Sequence, residues 1–122
     1  MSKIFITGAR GAIGEQLTQK LLLEGHEVIV VKDKSKRIEN ENYFDEIEDP
    51  SSIDVVYHLA GLSNVPDSWE KPTDFMMINT FGTQRIVEFC HQNGANLNYI
   101  SSYIYGKPVY LPIDEDHPLN VS

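Results

Sequence analysis

Apolar positions in the 122-residue chain come in short β-branched clusters separated by longer stretches of helical spacing. That alternation builds parallel α/β units. Lys3 to Thr7 predicts a first strand, and Ile13, Leu17 and Leu21, four residues apart, predict a helix that begins near Ala12 and stops at Gly25. Val28 to Val31 is a continuous apolar run, expected of a central parallel strand covered on both faces. Ile53 to Ala60 predicts another strand, closed by Gly61 and followed by a loop rich in Ser, Asn and Pro up to Pro72, where an α/β ligand loop belongs. From Thr73 to Asn93 the residues Phe75, Asn79, Gly82, Ile86 and Phe89 step along one helical face. Asn93-Gly94 ends that helix, and Leu97 to Ser101 predicts the last strand.

The interval from Ser35 to Pro50 is polar and acidic, with one short strand expected around Tyr43 to Ile47. A third strand and a second helix must both fit before Asp54, so both should be stunted. Lys107 to Ser122 carries three prolines and no periodicity, as in a connection cut short. There is no internal repeat.

Composition narrows the class. A chain this short allows one domain, and 41% hydrophobic residues are typical of a globular protein rather than a disordered or membrane-spanning one. Ten Lys and Arg against 18 Asp and Glu give a charge of -8, which opposes nonspecific binding to nucleic acid or to an anionic membrane. Any anionic ligand must then be held by a local arrangement of donors. The single cysteine, Cys90, excludes an internal disulfide framework and a zinc cluster, and no metal site is expected. With no leader-like apolar segment after Met1, a cytoplasmic location is expected.

The chemistry concentrates at the first strand-helix junction. Gly8, Ala9, Arg10, Gly11, Ala12, Ile13 and Gly14 follow a strand and open a helix, the context that a glycine-rich nucleotide loop requires. Gly8 permits the tight turn, Gly11 lets a pyrophosphate approach the backbone, and Gly14 lets the helix pack close to the strand. Free N–H groups at the helix start would face the anion. No Gly-Lys-Ser or Gly-Lys-Thr follows, which excludes a P-loop.

These residues resemble the start of an extended short-chain dehydrogenase/reductase of the NAD-dependent epimerase/dehydratase family, whose members modify nucleotide sugars. The resemblance rests on Thr7 to Gly14 (TGxxGxxG), Gly25 to Val28 (GHEV), Asp54 to Ala60 (DVVYHLA) and Ser101 to Gly106, similar to the family's SxxYG-type signature. Val65 to Pro72 and Ile78 to Thr83 also look like family text. The resemblance implies a Rossmann-type doubly wound parallel sheet of about five strands, in the order 3-2-1-4-5, with the cofactor crevice at the carboxyl ends beside the first strand. It implies a nucleotide-sugar substrate and allows a homodimer.

By the same resemblance Ser101 occupies the place of the catalytic serine, with Ser102 the fallback, to hydrogen-bond the reacting oxygen. The Tyr-x-x-x-Lys pair that would complete the reaction is expected just beyond Ser122, so the 122 residues read as an inactive N-terminal portion. NAD-dependent relatives carry an acid at the end of the second strand to bond the ribose hydroxyls, but Lys32 stands there and Asp33 one position later. Arg10 and Lys32, with Lys34, Lys36 and Arg37, could instead meet the extra phosphate of NADP. The cofactor is NAD or NADP, with a lean to NAD through Asp33. Glu46 and Ile47 would contact adenine, Leu59, Ala60 and Gly61 would pass close to the cofactor, and Asn79 would either touch it or bridge loops.

Four further side chains are read from their own sequence contexts. His58, in an apolar strand, reads as a packed histidine rather than a base. Cys90 reads as a buried apolar thiol. Ser63 and Asn64 could approach substrate or simply be solvated. A noncatalytic dinucleotide-binding or sensor module, or an inactive truncated fragment, stands as the alternative function.

Overall fold

A computed structural model describes residues 1–32, 36–62, 65–100, 110–112 and 114–117. The expected first strand forms β1 (Lys3–Thr7), and the helix after it is α1 (Ala12–Leu23). Gly25, at φ +88°, supplies the left-handed residue that turns the chain into β2 (Glu27–Val30), one position earlier than the apolar run suggests. β3 (Val55–His58) and β4 (Asn96–Tyr99) complete a parallel sheet in the order β2-β1-β3-β4. Registers Ile6↔Val30, Thr7↔His58 and His58↔Tyr99 bring the carboxyl ends of all four strands to one edge.

β1 alternates between the two faces of the sheet, as its period of two requires. Ile4 and Ile6 pack with Leu21 and Leu17 of α1 on one side. Phe5 and Val56 pack on the other with Ile86 and Phe89. The latter two belong to the C-terminal part of a long helical stretch, α2 (Val65–Glu70), α3 (Pro72–Phe75), a π-helical segment (Met76–Phe81) and α4 (Gly82–Asn93). Gly94, at φ +70°, ends α4 as expected.

The third-strand expectation fails in an instructive way. Tyr43 to Ile47 is not a strand, because Glu41–Phe44 is a 3-10 turn in which the Tyr43 N–H donates to the Asn40 carbonyl at 3.1 Å. Its apolar residues, Tyr43, Phe44 and Ile47, sit at helical rather than alternating spacing. Ile38, Tyr43, Ile47 and Ile53 are driven into the core beside Phe5, where a crossover helix would otherwise lie, and Phe44 stacks on Phe89 at 4.8 Å. Burying each such side chain contributes roughly 1.5 to 3 kcal/mol, enough to order a segment too short for a strand and a helix. As a consequence β2 is an edge strand among the described residues, with Val28, Ile29 and Val30 only half-buried, rather than the central strand its composition suggests. The sheet is the expected one without its third strand. Among the described residues no helix is long and apolar enough to cross a membrane.

Candidate functional site

At the carboxyl end of β1 the chain makes a turn whose three glycines have different reasons to be glycine. Gly8 adopts φ +74°, and a Cβ there would lie 2.7 Å from the Ala60 nitrogen. Gly14 is the tightest position, since its Cβ would meet the Gly8 carbonyl oxygen at 2.1 Å. Neither contact can be relieved by a side-chain rotation, because both partners are backbone. Gly11 differs from both. Its φ is -70°, open to any residue, and the nearest atom to a Cβ would be 3.5 Å away.

Gly11 is also the N-cap of α1, and no side chain caps that end. Gly11, Ala12 and Ile13 are exposed, Ile13 to 65%, so the first-turn N–H groups of a twelve-residue helix open to the surface with the positive end of the helix dipole behind them.

Beside this turn lies an open cleft of about 260 Å³, lined by Gly8, Ala9, Arg10, Lys32, Lys36 and Tyr43 among others. Among the described residues its charged lining is all cationic, on a chain of net charge -8. The Arg10 guanidinium donates to the Lys32 carbonyl, fixing it across the cleft mouth. The Lys32 N–H, two residues beyond the end of β2, donates to Glu46 Oε2 at 3.0 Å. Tyr43 was missed as a cleft residue; its ring packs edge-on to Phe5, and burial with the nearby Glu46 charge pushes its pKa up to about 12. Helical spacing of Tyr43, Phe44 and Ile47 was the signal that could have found it. Ile47 itself is buried in the core, so its side chain packs there rather than lining the cleft.

The end of β3 closes the other side. Thr7, fully buried, accepts the N–H groups of Leu59 and Ala60 on its Oγ1, each at 3.1 Å. Leu59 and Ala60 are half-buried and pack on opposite core clusters, while Gly61 is exposed. A Cβ on Gly61 would come within 3.1 Å of Asn79 Oδ1. Asn79, in the π-helical segment, holds the loop after β3: Oδ1 accepts from the Leu62 N–H and Nδ2 donates to the Leu62 carbonyl, both at 2.8 Å. Gly61 and Leu62 also border a second cleft of about 430 Å³, with Arg37, Lys71 and Asp74 on its rim. Arg37 is held there by Glu39, 2.6 Å from its Nε, which raises the guanidinium pKa.

Asp33, Lys34, Ser63, Asn64, Ser101 and Ser102 lie outside the described residues. The four-residue spacing of a Tyr-x-x-x-Lys pair does occur in the chain, at Tyr103 and Lys107, immediately after the serines and also outside the described residues. His58 is buried and hydrogen-bonded through both ring nitrogens, and Cys90 is a buried free thiol, as their sequence contexts suggest.

A family model described as the NAD dependent epimerase/dehydratase family matches residues 4–122. The UDP-glucose 4-epimerase of Mus musculus is 30% identical over 148 residues, covering 97% of this chain and 43% of that protein. UDP-glucuronic acid decarboxylase 1 of Danio rerio is 33% identical over 129 residues, covering 94% of this chain and 31% of that protein. Among solved structures, RMD from Pseudomonas aeruginosa complexed with NADPH superimposes with a TM-score of 0.74 at 26% identity, over 98% of this chain and 43% of that one. The chain spans less than half the length of these relatives.

Proposed function

The chain belongs to the NAD dependent epimerase/dehydratase family, and from that premise we propose that it binds NAD or NADP and forms the dinucleotide-binding part of an enzyme acting on nucleotide sugars. The observation that carries the reading is Gly11. Gly8 and Gly14 are required by the turn itself, whereas Gly11 has neither a left-handed φ nor a backbone neighbour that excludes a side chain. Its bareness keeps the α1 amides accessible, and an approaching pyrophosphate is the ligand those amides and the helix dipole suit.

In this reading the Gly11 N–H stays on the Gly8 carbonyl, the N–H groups of Ala12 to Gly14 hold the pyrophosphate, and Ile13 covers it. Arg10, Lys32 and Lys36 border the adenosine end, and Ala60 and Gly61 supply a surface without bulky side chains. A bound nicotinamide dinucleotide supplies hydride transfer at a sugar carbon. Ser101, with Ser102 as the fallback, is assigned the hydrogen bond to the reacting sugar oxygen. A cytoplasmic setting fits the acidic charge and the single buried thiol.

Calorimetric titration of the 122-residue chain with NAD and with NADP tests the proposal. The wild type should bind at least one of them, and Gly11→Val should lose that binding with its circular dichroism unchanged. Equal affinity in Gly11→Val would remove the loop from the site.

A further inference from the structure

The buried hydroxyl of Thr7 determines more than its own position. A hydroxyl has two lone pairs and one proton. Ala60 donates to Thr7 Oγ1, and so does Leu59, whose N–H is shared with the Thr7 carbonyl, each at 3.1 Å; the neighbour left to take the hydroxyl proton is His58 Nδ1, 2.7 Å away. Nδ1 is therefore an acceptor, and the ring carries its hydrogen on Nε2. Nε2 lies 3.0 Å from Thr83 Oγ1, which receives that hydrogen and passes its own to the Asn79 carbonyl at 2.7 Å. The Asn79 side chain then clasps both backbone groups of Leu62.

We propose that His58 is a positioning residue for the dinucleotide site: a one-directional chain, Thr7 to His58 to Thr83 to Asn79, locks the loop after β3 to the point where the glycine turn begins. The inference rests on the dinucleotide reading of that turn. Its leverage comes from close backbone contact, since the Ala60 nitrogen held by Thr7 is the atom that a Cβ on Gly8 would strike at 2.7 Å. Displacing Ala60 therefore displaces the turn.

The opposite tautomer would aim a third donor at Thr7 Oγ1, which already accepts from Leu59 and Ala60, and an imidazolium would do the same. His58 is 2% exposed, stacked on Tyr99 at 5.8 Å, and its burial lowers its pKa. A neutral ring with both nitrogens committed is suited to hold geometry and unsuited to act as a base.

Two measurements on the 122-residue chain test this. Nitrogen-15 NMR of the imidazoles at pH 7 should show His58 neutral with its hydrogen on Nε2; a hydrogen on Nδ1, or an imidazolium, overturns the chain's direction and the proposal. Thr83→Val removes the far acceptor without touching the glycine turn, and should weaken NAD or NADP binding roughly threefold to thirtyfold, while Thr83→Ser restores it. Wild-type affinity in Thr83→Val, with only a lowered melting temperature, overturns the coupling and leaves the cofactor reading standing. Failure of the wild type to bind either dinucleotide overturns both, and should Thr83→Val not fold, the tautomer measurement decides alone.

Discussion

Replacing Gly14 and Gly11 one at a time by alanine separates what the turn needs from what a ligand needs. In Gly14→Ala the new Cβ begins 2.1 Å from the Gly8 oxygen and 2.8 Å from the Ala9 Cα. An ordinary carbon-oxygen contact is about 3.3 Å, so turn and helix must separate by about 1.2 Å. Overpacking of this kind costs about 1 to 3 kcal/mol. The displaced Gly8 carbonyl also weakens its bond from the Gly11 N–H, now 3.1 Å, a loss of about 0.5 to 1.5 kcal/mol. Alanine's helix preference returns about 1 kcal/mol, leaving a net destabilisation of about 0.5 to 3.5 kcal/mol, centred near 2. For a domain of this size the central value is a fall in melting temperature of roughly 8 to 10 °C.

Gly11→Ala meets nothing closer than 3.5 Å. Its loss as an N-cap, about 0.5 kcal/mol or more, is offset by the about 0.4 to 1 kcal/mol gained from a stiffer unfolded chain. Its melting temperature should therefore stay within about 4 °C of the wild type. Thermal melts followed by circular dichroism, with and without dinucleotide, read both effects at once. A ligand at a hundredfold excess over its Kd stabilises the wild type by about 2.7 kcal/mol, and this increment should vanish in Gly11→Ala. The reasoning is refuted if the two variants lose equal stability without ligand, or if Gly11→Ala keeps the full ligand-induced rise.

Cofactor choice is read by salt. If Arg10 and Lys32 meet the 2'-phosphate, NADP should bind more tightly than NAD and the preference should shrink as ionic strength rises; NAD preferred at all salt concentrations, with Asp33→Ser weakening it, assigns the ribose to Asp33 instead. Tyr43 should remain un-ionised to about pH 12, which ultraviolet titration of the phenols can follow. Because its folded pKa lies above the unfolded value of about 10, the stability it contributes is complete below pH 10 and is lost as pH rises from there towards 12. A melting temperature in Tyr43→Phe that declines over that window as steeply as in the wild type would contradict the assignment.

Elements whose cause is local are legible in the order of the residues. Periodicity delivers α1 and the buried face of α4, glycine places the stops at Gly25 and Gly94, and the strand-turn-helix context of Gly8 to Gly14 marks the candidate site. Features that depend on partners far along the chain are settled only when the chain packs. The apolar run of β2 reads as a central strand, yet its place at the sheet edge follows from residues 36–54 packing into the core instead of pairing with it. Tyr43 reads as a strand residue and becomes a cleft wall, because the space left by a missing helix is filled by whichever apolar side chains can reach it. The hydrogen-bond chain through His58 joins residues 51 positions apart at Thr7 and 25 apart at Thr83. No local pattern encodes such a chain, since each polar group is satisfied only when burial removes water and leaves one neighbour able to take its proton.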